Sequence, residues 1–159
     1  MKIINNFLKE ENFLNLKKAM MGSSFPWFIS WGINYKEENN YQFSHNFYEN
    51  YIFNQYQYHL IEPFLLILKP KALLRIKANL LAKTDKIIKH GFHVDYEIDN
   101  LKTAVFYVNT NNGFTEFENG TISKSEENKI VIFDSNMKHT GTTCTDEFFR
   151  VVLNFNYFE

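Results

Sequence analysis

From residue 72 onward, apolar side chains keep returning at every second position, the period of an extended strand with one buried face. Leu74, Ile76, Ala78 and Leu80 alternate with Arg75, Lys77, Asn79 and Leu81. Phe92, Val94, Tyr96 and Ile98 alternate with His93, Asp95, Glu97 and Asp99. In the last segment Val151, Leu153, Phe155 and Tyr157 share one face, and Arg150, Asn154 and Asn156 share the other. Thr103 to Asn109, Thr115 to Phe117 and Lys129 to Phe133 read as further short strands. Asn111-Asn112-Gly113 and Asn119-Gly120 supply turns between them.

The first 70 residues read differently. Phe7, Leu8, Phe13, Leu14, Leu16 and Met20 recur at helical spacing, with Asn5 or Asn6 as the cap and Gly22 as the stop. The aromatic run from Tyr41 to Tyr58 is ambiguous, and a short helix is expected from about Pro63 to Pro70. No linker or repeat divides the chain, and 159 residues with 45% hydrophobic content suffice for one core. The expectation is a single domain over 1–159, mainly β with α. Helical and aromatic support occupies 1–70 and a jelly-roll core 72–158, with the N-terminal helices packed outside an antiparallel barrel or jelly roll.

Charge and composition narrow the function classes. A net charge of −1 gives no global pull toward nucleic acid or anionic lipid. The longest apolar stretch, from Pro63 to Leu74, is broken by prolines and lysines and falls short of a membrane span. Charges throughout the first residues argue against a secretory signal. Cys144 is the only cysteine, so an intramolecular disulfide is impossible and a reducing, cytoplasmic setting is expected. Of 17 basic residues only Arg75 and Arg150 are arginines, so each marks a place where a planar five-donor fork is wanted.

His93 and Asp95 stand two apart in the alternating segment, so both side chains leave on one face and can grip one ion. His139 is the candidate third ligand. Two imidazoles and one carboxylate on one face of an octahedral ion form the arrangement of non-haem Fe(II) oxygenases. A solvent-facing strand gives the same His-x-Asp pattern. Arg150 follows His139 by eleven residues across the expected turn Thr140-Gly141-Thr142-Thr143. Antiparallel pairing of the flanking stretches would send both side chains into one cavity. A buried arginine needs a neutralising carboxylate. No protein carboxylate is spaced to serve, so a ligand with a free carboxylate suits that face. The alternative is a surface pair of Arg150 with Glu147.

His93-Val94-Asp95, Tyr107-Val108-Asn109, Asn112-Gly113-Phe114-Thr115-Glu116-Phe117, His139 and Arg150, in that order, resemble the Fe(II)/2-oxoglutarate-dependent dioxygenases. The similarity is nearest to the prolyl 4-hydroxylase-like branch, particularly its small phage and bacterial members, and spans Arg75 to Tyr157. The resemblance implies a double-stranded β-helix holding iron through His93, Asp95 and His139. Arg150 would bind the distal carboxylate of 2-oxoglutarate, Tyr107 would hydrogen-bond it, and Thr115 and Asn154 would line its pocket. Dioxygen is the implied co-substrate, with ascorbate as a helpful reductant, and succinate and carbon dioxide as products. Three features depart from the family pattern. A double-glycine segment has one glycine here, Gly113; a tyrosine preceding the iron pair is missing, with Asn79 as its stand-in; and the His139-to-Arg150 spacing is longer than in some members.

The implied reaction is hydroxylation of a carbon centre in a peptide or protein, prolyl residues first, in the cytoplasm, including a host's cytoplasm for a phage-encoded chain. The alternatives are a nucleic-acid-modifying, dealkylating oxygenase and a non-catalytic jelly-roll binding module. The basic stretch Lys69, Lys71, Arg75, Lys77, Lys83, Lys86 and Lys89 reads as a solvated sheet edge; the alternatives are steering of an anionic substrate, nucleic acid or an acidic peptide, and Arg75 or Lys77 at the pocket mouth. His90 is expected in a solvated loop, His45 and His59 as hydrogen-bonded core or surface histidines, and Cys144 as structural. Trp27, Trp31 and the Tyr41–Tyr58 cluster are expected to pack in the core, with a substrate platform as the alternative.

Overall fold

Two of the strongly alternating segments pair with one another. A computed structural model describes residues 1–33 and 40–159. In it Phe149–Phe158 runs antiparallel to Ala72–Ala82, setting Val151 opposite Leu80, Leu153 opposite Ala78 and Phe155 opposite Ile76. In chain order the elements are β1 (Lys2–Ile4), α1 (Glu10–Met20), β2 (Phe28–Trp31), β3 (Tyr41–Glu49), β4 (Ile52–Phe53) and α2 (Tyr58–Leu68). There follow β5 (Ala72–Ala82), β6 (Leu101–Tyr107), β7 (Phe114–Phe117), β8 (Ile122–Lys124), β9 (Lys129–Asp134), β10 (His139–Gly141) and β11 (Phe149–Phe158). The main sheet has the order β1-β9-β6-β11-β5-β3-β2, with β4 beside β3, and a smaller sheet has the order β10-β7-β8. All pairings are antiparallel. This is a double-stranded β-helix with two helices outside it.

The alternation sorts the side chains of the main sheet into two environments. On the outer face Ile76, Ala78, Leu80, Phe106, Val151, Leu153 and Phe155 join Phe13, Leu16 and Met20 of α1 and Leu60, Ile61 and Phe64 of α2 in one core. Phe64 sits at its centre, with ring centroids 4.8 Å from Phe106 and 4.9 Å from Phe155. On the inner face Val105, Tyr107, Val131, Phe133 and Val152 meet Phe117 of the small sheet in a second, smaller core.

Several expectations are corrected here. The first 70 residues are not only support, because β1, β2 and β3 extend the main sheet. Residues 5–8 do not belong to the first helix. Phe7 N–H donates to the Asn128 carbonyl at 2.9 Å. The Asn128 side chain takes Leu8 N–H at 2.9 Å and donates to Leu8 O at 3.0 Å. With that backbone committed, the helix starts at Glu10. The second helix starts at Tyr58, earlier than Pro63, which lies inside it, and ends where Lys69 turns left-handed ahead of Pro70.

The segment Phe92 to Ile98 is not a regular strand. It skirts the free edge of β10 and bonds only intermittently, through His90 N–H to Gly141 O, a mutual pair between His93 and His139, and Asp95 N–H to Ser135 O. Nor do the stretches around His139 and Arg150 pair as a hairpin. β10 pairs with β7 in the small sheet, and β11 with β5 and β6 in the main one. His139 and Arg150 therefore face one cavity from opposite sheets.

Trp27 and Phe53 pack against the core as expected, but Trp31 and Tyr41 are exposed at the sheet edge. His45 is buried, donating Nδ1–H to Pro26 O at 2.9 Å and accepting from Asn54 Nδ2 at 3.4 Å. Burial lowers its pKa, opposed by the Pro26 hydrogen bond.

Truncating Phe64 to Ala should cost ~3–5 kcal/mol, the usual penalty for a buried phenylalanine, read by urea denaturation. His45 generates a pH dependence. Its folded pKa lies below the unfolded value, so its contribution is fully present above about pH 6.5 and is lost as pH falls below that. His45→Gln should remove that share of the acid-side slope in a pH series of denaturation curves.

Candidate metal centre and buried arginine pocket

Two residues apart on one extended segment, His93 and Asp95 meet His139, whose ring packs against Phe133 of the smaller core at 4.8 Å. Asp95 Oδ1 lies 3.8 Å from His93 Nε2 and 4.0 Å from His139 Nε2. One donor atom from each of the three residues falls within 4.8 Å of the others, within reach of a single ion. The rings of His93 and His139 stand 4.6 Å apart, centroid to centroid.

Asp95 and His139 are each held so that one donor atom remains free. Thr103 Oγ1 and Asn156 Nδ2 both donate to Asp95 Oδ2, at 2.8 and 2.9 Å, leaving Oδ1 facing the histidines. His139 Nδ1 lies 2.9 Å from the Met137 carbonyl. A carbonyl only accepts, so Nδ1 carries the proton and the Nε2 lone pair points to the site. Burial alone would raise the Asp95 pKa, but His139, Arg75 and the two hydrogen bonds bring it below the ordinary carboxylate value. Burial, then the neighbouring His139, lowers the pKa of His93 and favours the neutral imidazole that a metal needs. Two imidazoles and one carboxylate on one side fit a divalent ion with open positions opposite.

The same cavity, about 220 Å³, is lined by Arg150, Thr115, Asn79 and Asn154 besides the three candidate ligands. Arg150 is 3% exposed and makes no ion pair among the described residues, so the pairing with Glu147 is not formed. Its Nε donates to Ser125 Oγ at 2.9 Å, its Nη2 donates to Thr115 Oγ1 at 3.2 Å, and its guanidinium lies 5.8 Å from the Tyr107 ring centroid. Neutral partners orient this cation without cancelling it, and burial lowers its pKa. A ligand carboxylate supplies what the protein omits.

Asn79 and Asn154 each leave a buried side-chain oxygen without a partner on the cavity wall. Tyr107 is placed differently from the pocket lining. Its hydroxyl donates to Ser123 O at 3.2 Å, and burial raises its pKa, so it packs under the guanidinium as a neutral phenol. The one glycine of that segment, Gly113, is required sterically. A Cβ there would fall 2.6 Å from Arg150 Cδ and 2.8 Å from Thr143 O, so this glycine admits the arginine stem.

Thr103, Asn156 and Ser125 were not singled out as site residues by sequence, although Asn156 shares a face with Arg150 and Asn154. The basic stretch splits. Lys69, Lys71, Lys83, Lys86 and Lys89 are exposed, whereas Arg75 and Lys77 are half-buried and line the cavity. Both arginines of the chain thus face the same space, and their rarity was the signal. His90 also lines the cavity, rather than lying free in a loop. Cys144 is buried against Glu147 O.

No family model matches the chain, and no curated protein matches it in sequence. Solved structures do match in fold. A non-heme alpha ketoglutarate dependent carbocyclase, SnoK from nogalamycin biosynthesis, aligns at TM-score 0.69 and 11% identity, over 98% of this chain and 78% of its own. A prolyl hydroxylase from Trichoplax adhaerens, solved with a hypoxia inducible factor peptide fragment, aligns at 0.64 and 11%, over 98% of this chain and 82% of its own. A Pseudomonas putida prolyl-4-hydroxylase aligns at 0.57 and 12%, over 99% and 92%. The chain has the fold of the 2-oxoglutarate-dependent oxygenases, prolyl hydroxylases among them.

Gly113→Ala should lower the Tm by several degrees, because the Arg150 stem has nowhere to move. Gly141→Ala, whose Cβ would meet Arg150 Nη1 at an ordinary 3.5 Å, should stay near wild type in the same melting experiment.

Proposed function

We propose that this chain is an Fe(II)/2-oxoglutarate-dependent dioxygenase that hydroxylates a carbon centre. One observation carries the reading: the His93, Asp95 and His139 donors and the uncompensated Arg150 guanidinium line one cavity. Either feature alone has ordinary explanations. Together they suit a molecule with a metal-binding oxoacid at one end and a carboxylate at the other.

In this reading His93, Asp95 and His139 hold the ion, and Thr103, Asn156 and the Met137 carbonyl fix the donors in place. Arg150 receives the distal carboxylate, with Thr115 beside it and Asn79 and Asn154 offering polar contacts along the wall. Tyr107 supports the guanidinium from beneath. The apolar Val105 and Val152 on the same wall limit water around the bound acid. A bound Fe(II) supplies the oxidative chemistry: 2-oxoglutarate, dioxygen and a substrate C–H bond become succinate, carbon dioxide and a C–OH group.

A prolyl residue in a peptide is the first substrate to test, supported by the prolyl hydroxylases that share the fold. The basic stretch forms no continuous exposed stripe, because Arg75 and Lys77 turn inward, and this weakens the nucleic-acid reading. A non-catalytic module that binds a carboxylate would account for Arg150 but gives the converging His93, Asp95 and His139 donors no task. No helix among the described residues is long and apolar enough to cross a membrane. With its single buried thiol, the chain suits the reducing cytoplasm.

The test is slow succinate formation from 2-oxoglutarate in air, with Fe(II) and ascorbate and without prime substrate. Wild type should turn over, and Arg150→Met should bind 2-oxoglutarate about 10- to 100-fold more weakly, the worth of a charge-assisted pair. Absence of succinate from folded, iron-loaded protein would overturn the proposal.

A further inference from the structure

Arg75 and Lys77 are cations that the 2-oxoglutarate reading does not use. They lie on β5, on the same face as Asn79, and the sheet register sets Arg75 opposite Asn156 and Lys77 opposite Asn154 of β11. Arg75 is therefore at the metal end of the cavity. Its Nη2 comes to 3.9 Å from Asp95 Oδ1, its guanidinium lies over the Tyr96 ring at 5.4 Å, and its Nε is buried without a hydrogen-bond partner. Lys77 is half-buried on the same wall and forms no ion pair among the described residues. On β3, beyond Lys77, Asn46 stands opposite it in register.

The charges of the cavity do not balance. Among the described residues its wall carries Arg75, Lys77 and Arg150 against one carboxylate, Asp95. A divalent ion and a 2-oxoglutarate dianion cancel each other, so filling the site leaves that excess of positive charge in place. Arg150 is taken by the distal carboxylate, and Asp95 by the ion. Arg75 and Lys77 then remain, half-desolvated and beside the reacting centre, where interactions with an anion are stronger than in open water. A neutral substrate would leave them unmatched.

Resting on the dioxygenase reading above, we propose that Arg75 and Lys77 form a second anion site, holding a carboxylate of the prime substrate close to the carbon that is oxidised. Closeness follows from Arg75, whose fork is within 4 Å of a candidate metal ligand. The substrate is thus an acid: a free amino acid, a chain-terminal residue, or a residue with an acidic side chain. An internal prolyl residue without a nearby carboxylate is a poorer fit.

The probes are paired acids and amides. Free L-amino acids are compared with their C-terminal amides, and end-blocked Asp and Glu peptides with their Asn and Gln counterparts. Each is titrated anaerobically into protein loaded with Fe(II) and 2-oxoglutarate, following the visible absorption of the iron–oxoacid complex and the heat of binding. At least one acid should bind about tenfold or more tightly than its amide, and that preference should vanish in Lys77→Gln. Whether free acids or acidic peptides show it identifies the source of the carboxylate.

Lys77 touches no candidate metal ligand, so a merely structural role for Arg75 beside Asp95 would leave the Lys77→Gln preference intact. Melting curves confirm that the variant is folded, and Lys77→Arg, which keeps the charge, should retain the preference. A folded Lys77→Gln protein that still prefers the acid, or a wild type that prefers no acid over its amide, overturns the second anion site alone. Absence of the absorption band from wild type removes the dioxygenase reading, and this inference with it.

Discussion

Burying a guanidinium without a counter-ion costs several kcal/mol, and the fold accepts that cost at Arg150. Much else around the cavity follows from accommodating this residue. Ser125 and Thr115 orient its nitrogens, Tyr107 lies beneath it, and Gly113 gives up a side chain so that its stem can pass. None of these neighbours carries a negative charge. The arrangement makes physical sense as a receptor whose last partner arrives from solution.

The two-sheet architecture explains how that receptor is joined to a metal centre. β11 carries Arg150 and Asn154 into the cavity and, further along the same face, Asn156 onto Asp95. Its opposite face, through Val151, Leu153 and Phe155, is anchored in the aromatic core beneath the helices. One strand therefore ties the pocket, the carboxylate ligand and the main core into a single rigid unit. The small sheet contributes His139 and Thr115 from neighbouring strands, with His139 opposite Phe117 in register. The distance between metal end and acid end is thus set by strand geometry rather than by loops, which suits the positioning of a small bifunctional acid.

Much of this was legible in the sequence, and the reasons for the remainder are physical. β5 and β11 were readable because each has one face in the apolar core and the other in a polar cavity, which gives a clean period of two. His93, Asp95, His139 and Arg150 were readable because their residue types are costly to bury without a task. The segment carrying His93 and Asp95 alternates like a regular strand without being one, since the pattern records which side chains face inward, not whether the backbone pairs continuously. β1, β8 and β10 have three residues each, too few for any period to show. Thr103 and Asn156 grip Asp95 through contacts between distant strands, which no local pattern encodes. Arg75 was marked by the scarcity of arginine, but its neighbours in a run of lysines made it look like surface.

The central claim is that one cavity holds a divalent ion and an oxoacid together. The most direct measurement is anomalous diffraction from a crystal soaked anaerobically with Mn(II), standing in for Fe(II), and 2-oxoglutarate. A single strong anomalous peak should lie within bonding distance of His93 Nε2, Asp95 Oδ1 and His139 Nε2, with density for the acid running from it to the Arg150 guanidinium. A metal peak elsewhere, or an ordered acid that leaves Arg150 untouched, would contradict the claim.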